Sequence, residues 1–336
     1  MRRKITRFHL LAGGSATLGA FSIVRSTAKA ADFVYKLGHF DSVDSTLNVL
    51  MVKMADAIKT ETNGRMEIQI FPNYQLGNAT SMMTQLRLGS IHFVVLGAND
   101  FGNLVPAVNI STLGFIFTSE PEALRTMDGP LGAYINRELD RKGVHVFPKV
   151  FNYSLYQLTS SKKPIKTVDD FAGFKIRIRP NPTEVDLFTT LGASPTVVES
   201  SQLYTALQTH IVDGQSAALQ VIETFKYYEV QKYLSFTNHQ WGCPRLAANA
   251  DAWNALPPEI AAVVNRNADV AVSLQRRAAS ELDASLRDKL KRRGLIFNNA
   301  NTAGMRARLQ PYYVRQKSDF GSSIWSLLED AVGKRG

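Results

Sequence analysis

The longest element the sequence implies is a helical stretch that opens at Pro257-Pro258 and runs to about Arg293, where Gly294 supplies the stop signal. If continuous, its ~36 residues span ~54 Å at about 1.5 Å per residue. That exceeds one small domain. The chain has 336 residues, enough for two lobes of ordinary size. The helix is therefore expected to run along both.

Ahead of it the sequence alternates between strand and helix patterns. Phe33–Phe40 reads as a strand. A helix follows, with cap candidates at Asp41 to Asp44, apolar Leu47, Leu50, Met51, Met54 and Ile58 at helical spacing, and a stop at Asn63-Gly64. Strands are expected at 65–71, 92–96 and 144–151, and helices at about 79–88 and 120–141. After Ser154 the pattern restarts with strands at 155–159 and 174–178. A helix covers Tyr204 to Thr209, a tight turn lies at Val212-Asp213-Gly214-Gln215, a helix spans 223–232 and a strand spans 246–253. A last helix covers about 302–333. This alternation predicts an α/β protein with parallel-type sheets and helices on both faces.

The first thirty residues read as an export signal. Arg2, Arg3, Lys4 and Arg7 form a basic start, residues 10–24 an apolar small-residue run, and Ala28-Lys29-Ala30 a cleavage site. The run is too short and glycine-rich for a membrane span. Arg2-Arg3 leaves the twin-arginine route open beside the general one. Of 39 basic residues, six lie in this segment, leaving 33 against 29 acidic groups and a mature net charge of +4 rather than +10. That balance does not call for a nucleic-acid partner. Cys243 is the only cysteine, so an exported protein must rely on its core rather than an internal disulfide. No Cys/His spacing suits zinc.

Catalytic signatures are missing from the sequence. His39, His92, His145, His210 and His239 stand singly, with no HExxH, no G-x-S-x-G, no phosphate loop and no dinucleotide fingerprint. Asp169-Asp170 sit where a helix cap belongs, and Asp213-Gly214 reads as turn chemistry.

Residues 173–231 carry more information. In K-I-R-I-R, Lys175, Arg177 and Arg179 share one strand face while Phe174, Ile176 and Ile178 occupy the other, and Pro180-Asn181-Pro182 ends the strand. Ligands of open α/β sheets sit beyond the carboxyl ends of the strands. An arginine there offers a planar fork that pairs bidentately with a carboxylate. The pattern alone leaves two readings open: a ligand anchor or a solvated basic edge.

A wider set of segments decides between them. Lys36-Leu37-Gly38-His39, Phe71-Pro72 with Gln75-Leu76-Gly77, Gln85-Leu86-Arg87 with Gly89, and Lys162-Lys163-Pro164-Ile165 come first. Gly173-Phe174-Lys175-Ile176-Arg177, Leu191-Gly192-Ala193-Ser194-Pro195, Leu203 to Gln208, Val212-Asp213-Gly214-Gln215 and Tyr228 to Tyr233 follow. In this order the chain resembles the periplasmic solute-binding proteins of TRAP transporters, over nearly all of residues 33–320. The resemblance implies two α/β lobes closing on a ligand, with lobe I at 31–154 plus about 243–282 and lobe II at 155–242 plus about 283–336. It implies Arg177 as the carboxylate anchor. It further implies a pocket drawing on Phe40, Gly97, Tyr156, Gln157, Arg179, Asn181, Ser200, Gln215, Ala217 and Trp241. The expected ligand is a small organic acid delivered to a TRAP permease, by a monomer in the periplasm, with no cofactor, metal or catalysis.

The sequence departs from the commoner pattern at several of these positions. Ser216-Ala217 follow the Asp-Gly-Gln turn where many relatives have Glu-Asn. Ser200 stands for an aromatic residue, Tyr156 or Gln157 for a second arginine, and Gly97 for the acidic residue of sialic acid receptors. These changes speak against sialic acid and against a dicarboxylate. Two alternatives stand beside transport. A ligand-binding subunit for a membrane sensor would lack neighbouring permease genes. A secreted enzyme acting on organic acids would need an acid/base pair beside Arg177, which the sequence does not supply.

Overall fold

Two β-sheets organise the chain in the computed structural model, which describes residues 30–334. The expected export signal falls almost entirely outside the described residues. β1 (Phe33–His39), β2 (Met66–Phe71), β3 (Phe93–Leu96) and β4 (Val144–Val146) come first. β5 (Gln157–Ser160), β6 (Lys175–Ile178), β7 (Ser194–Val197), β8 (Gly214–Ala217) and β9 (Tyr233–Phe236) follow, then β10 (Arg245–Asn249) and β11 (Ile296–Asn299). The sheets are ordered β2-β1-β3-β10-β4 and β11-β9-β5-β8-β6-β7.

Both sheets are mixed, which corrects the parallel-type expectation. β10 runs antiparallel to β3 and β4, and β5 antiparallel to β8 and β9. The reason is long-range: β10 returns to the first sheet after the chain has built most of the second. Directions set by such returns leave no trace in local periodicity.

The long helix is continuous from Pro258 to Arg292. Its Ile260, Val264 and Ala268 pack into the core of the first sheet with Leu37, Met51 and Leu246. Its Leu286 and Leu290 pack with Leu207 and Leu234 of the second sheet's core. One helix thus belongs to both cores, as its length implied.

Other elements differ in detail. The helix expected at 120–141 is two, Glu120–Asp128 and Pro130–Asp140, broken where Gly129 precedes a proline at the first helical position. The helix expected at 302–333 is three, Thr302–Arg308, Gln310–Phe320 and Ser322–Val332. The 223–232 stretch resolves into Leu219–Thr224 and a short turn at Tyr227–Glu229. The strand expected at 246–253 ends at Asn249, whose side chain caps the helix Ala250–Asn254. Ser45, rather than Asp41 or Asp44, caps the helix Thr46–Glu61.

Asp213-Gly214 is more than a turn. The buried Asp213 accepts the backbone N–H of Lys175 at 3.1 Å and donates its own N–H to the Lys175 carbonyl at 2.7 Å, fixing the start of β6. Gly214 then opens β8 between β5 and β6. A Cβ at Gly214 would lie 1.9 Å from the Thr159 carbonyl oxygen and 2.7 Å from the Phe174 ring. Gly214→Ala is therefore expected to destabilise the protein by about 3 kcal/mol, through forced backbone shifts. Urea unfolding checks this, and a loss below about 0.5 kcal/mol would show that β8 moves aside freely.

Candidate functional site

Between the two sheets lies a cavity enclosing about 560 Å³ of empty space, its mouth included. It sits at the carboxyl ends of β1, β3, β6 and β7, the place that strand-end geometry assigns to ligands. Phe40 follows β1, Gly97 and Asp100 follow β3, Arg177 comes from β6 and Arg179 follows it, Ser200 follows β7, and β8 contributes Gln215 and Ala217.

Arg177 is 2% exposed. Its neighbours Ile176 and Ile178 are buried on the opposite face of β6, so alternation aims the guanidinium away from the core. Arg177 Nε donates to the Val198 carbonyl at 2.8 Å and Nη2 to Ser200 Oγ at 2.7 Å. Of five N–H donors, three have no acceptor among the described residues, and Arg177 makes no ion pair among them. Burial, and then the like charge of Arg179, press its pKa below the ordinary arginine value. An arginine keeps its charge at neutral pH all the same. The result is a buried cation with an open side and no counter-ion.

Arg179 is different, because its charge is already matched. Glu184, buried in the first turn of the helix Pro182–Leu191, takes Arg179 Nη1 at 3.1 Å and the Arg179 backbone N–H at 2.9 Å. It also accepts Asn99 Nδ2 at 2.6 Å. The Arg179 guanidinium lies 5.4 Å from the Tyr156 ring centre. Burial opposes this charge, but Tyr156, Glu184 and Asp100 together hold the Arg179 pKa above its usual value.

Eight of the eleven residues named from sequence line the cavity: Phe40, Gly97, Tyr156, Arg177, Arg179, Ser200, Gln215 and Ala217. Three do not. The buried Gln157 holds a loop, accepting the N–H groups of Thr237 and Asn238 at 2.8 and 3.1 Å. Asn181 caps the helix Pro182–Leu191 and donates to Asn109 Oδ1 at 2.6 Å. Trp241 donates Nε1 to Asn152 Oδ1 at 2.9 Å and lines a smaller void of about 270 Å³ behind Tyr156 and Arg179. Packing, rather than a wall of the main cavity, is its place.

The residues unread in the sequence come equally from the two sides of the cavity, Tyr74, Asp100, Tyr153 and Pro244 from the first sheet's and Leu203, Val221, Phe225 and Tyr227 from the second's. Tyr74 stands at φ +58°, a left-handed conformation unusual for a bulky side chain, held by its N–H to the His39 carbonyl at 3.1 Å. Its side chain lies near Ser200, the residue that holds Arg177, so it reaches the second sheet's side of the cavity. Tyr153 gives its hydroxyl hydrogen to Asp41 at 2.6 Å, and Phe225, Tyr227, Leu203, Val221 and Pro244 complete the lining. Asp100 had a signal: the polar segment Gly97 to Asp100, a short helix Ala98–Gly102 in the structure, follows the carboxyl end of β3 as the Arg177 strand runs into the cavity at its own end.

Comparison with known proteins decides what this cavity belongs to. Residues 37–319 match DctP, the bacterial extracellular solute-binding protein family 7. The chain belongs to this family. Among its relatives is the 2,3-diketo-L-gulonate-binding periplasmic protein YiaO of Escherichia coli K12, 30% identical over 293 residues, covering 87% of each chain. Among solved structures, the sugar acid binding protein of Advenella mimigardefordensis in complex with galactonate superimposes with a TM-score of 0.87 at 25% identity, covering 91% of this chain and 100% of that one. A TRAP periplasmic solute binding protein of Sulfurospirillum deleyianum with bound succinate gives a TM-score of 0.84 at 26% identity, covering 90% and 98%. The present family 7 protein is therefore a TRAP solute receptor, which binds an organic acid and delivers it to a permease. No helix among its described residues is long and apolar enough to cross a membrane.

The receptor's cavity also holds an acid. Burial raises the Asp100 carboxyl to about 6, opposed by the nearby charge of Arg179. A carboxyl whose folded pKa exceeds its unfolded value near 4 stabilises the protein below that value, and the contribution is lost as pH rises through about 6. A tenfold change in proton affinity is worth ~1.4 kcal/mol, and partial exposure of Asp100 trims the total to about 1–2 kcal/mol. Asp100→Asn should thus melt higher than the parent at pH 7.5, with the gap closing towards pH 4. Ligand-free melting curves across that range check the sign, and a gap that widens on acidification contradicts it.

Proposed function

We propose that Arg177 anchors the carboxylate of a small organic acid, in a periplasmic receptor that acts as a monomer and closes its two lobes on the ligand. One observation carries the reading: Arg177 is a buried cation with three open N–H donors and no counter-ion among the described residues. A carboxylate meets that deficit with two parallel, charge-assisted bonds. Ser200 and the Val198 carbonyl hold the fork in place before the ligand arrives. Water exclusion on closure strengthens the pair.

Lobe I is assigned residues 31–154 plus about 243–282, and lobe II 155–242 plus about 283–336. In support, every strand of the first sheet falls in the former and every strand of the second in the latter. The last helix reaches across to the helices at 120–140. Contacts that join the lobes among the described residues include Asn99 to Glu184, Thr80 Oγ1 to Glu199 at 3.0 Å, and Asn181 to Asn109. Export with cleavage before Ala31 fits a first strand that starts at Phe33. The chemistry of the lining supports binding rather than catalysis. Its tyrosine pKa values are raised, burial being the first cause, and a phenol held that way is a poor base at neutral pH.

The test is a melting-temperature screen of carboxylates against their neutral amides. A bound carboxylate at 100 times its Kd should stabilise the receptor by about 2.7 kcal/mol, while its amide does little. Solution scattering with the same ligand should give a smaller radius of gyration. Equal stabilisation by acid and amide would remove Arg177 as a carboxylate anchor, and an unchanged radius with confirmed binding would remove hinge closure.

A further inference from the structure

We propose that Asp100 is a specificity-determining residue, which with Gln215 makes the site select a hydroxylated monocarboxylate and reject a dicarboxylate. This rests on the reading of Arg177 as the carboxylate anchor.

The cavity's cations and acceptors lead there. Arg179 is neutralised by Glu184, so Arg177 is the one arginine of the lining left to meet an anion. Asp100 faces the same cavity from the other sheet. Its Oδ2 accepts the Gly97 N–H at 3.0 Å, and the carboxylate has no other hydrogen bond and no ion pair among the described residues. The charges that act on it are Arg179, Glu199 and Arg177. Asp100 also borders a shallow outer cavity with Thr80, Thr84 and Arg87, yet none of these hydrogen-bonds to it.

A second acceptor waits beside Arg177. Gln215 pairs with Arg177 in the strand register, and its Nε2 donates to Thr159 Oγ1 at 3.1 Å. Its Oε1 is fully buried with no hydrogen bond among the described residues. Tyr153, which also lines the cavity, has given its hydroxyl hydrogen to Asp41 and has none left to donate. Buried acceptors without donors are costly, and a ligand that supplies hydrogens relieves them. Hydroxyl groups supply those hydrogens without adding charge. A second carboxylate has none to give at neutral pH and would stand against Asp100 as a like charge.

The experiment uses carbon-matched pairs in which a terminal CH2OH replaces a carboxylate: 4-hydroxybutyrate and succinate, erythronate and tartrate, galactonate and galactarate. Calorimetry at pH 7.5 measures all six on the mature receptor, on Asp100→Asn and on Arg177→Ala. In the parent, at least one hydroxy acid should bind roughly 30-fold or more tightly than its dicarboxylate partner, the scale of a like-charge penalty. Asp100→Asn should narrow that ratio to within about fivefold by gaining on the dicarboxylate and losing on the hydroxy acid. A dicarboxylate that binds the parent within about threefold of its partner overturns the proposal. So does a ratio unchanged in Asp100→Asn, or a set in which none of the six binds. The parent's ratio is read without any variant, so misfolding of Asp100→Asn does not protect the idea. Arg177→Ala tests the anchor separately: undiminished binding there removes the anchor reading, whatever the ratio.

Discussion

Replacing Arg177 with Ala should weaken binding of the receptor's ligand by roughly 30-fold to several thousand-fold, since truncating one side of a buried charge pair costs ~2–5 kcal/mol. The ligand carboxylate would then be desolvated without the cation that balances it, leaving only neutral hydroxyls and the already paired Arg179 around it. Arg177→Lys should recover part of the loss, because a point charge cannot reproduce a bidentate fork. Ligand-free stability is expected to change little. The guanidinium's bonds to Val198 and Ser200 are lost, but so is an unpaired buried cation whose pKa burial already presses down. Calorimetry and melting curves on both variants separate these effects. Binding within about twofold of the parent in Arg177→Ala would pass the anchor role to Arg179 or Tyr156.

What the sequence revealed follows from which forces are local. The long helix was legible because Pro257-Pro258 and Gly294 bound a stretch without breakers, and the face of β6 that carries Arg177 because strand alternation is strictly two-residue. The short strands β7, β9 and β11 were not. β7 reads Ser-Pro-Thr-Val and β11 ends in two asparagines; both lie at sheet edges with a single pairing partner, and that of β11, β9, lies some sixty residues back along the chain. The site divides the same way. Residues on β6 and β8 could be placed by alternation and by family likeness. Tyr74 could not, because nothing in Pro-Asn-Tyr-Gln announces a left-handed tyrosine. Trp241 could be read as an apolar wall or as packing, because an aromatic ring near a ligand loop looks the same in sequence whether it faces the ligand or, as here, bonds Asn152 behind it. Asp100 was within reach. The rule that ligands gather at the carboxyl ends of strands applies to β3 as it does to β6, and the short helix after β3 carries an acid.

The largest effect on stability is expected at Glu184. Its carboxylate is 1% exposed and gathers the Arg179 guanidinium, the Arg179 backbone N–H and the Asn99 amide. Glu184→Ala leaves the partly buried Arg179 without its counter-ion, and breaking a buried pair from one side costs ~3–5 kcal/mol. For a protein of this size that lowers Tm by roughly 6–15 °C. Removing Arg179 as well should restore part of the loss, because the penalty lies in the stranded charge; the double-mutant cycle measures that coupling. Binding should respond differently from folding. Arg179, freed from Glu184, adds a second cation to the cavity, so a dicarboxylate such as succinate should gain on a monocarboxylate of equal length even as the protein melts earlier. Asn99 belongs to the first sheet's side of the cleft and Glu184 to the second's, so the same change also loosens a contact between them. A Tm loss below about 2 °C in Glu184→Ala would show that water, rather than Glu184, balances Arg179, and the cavity would then hold two available cations instead of one.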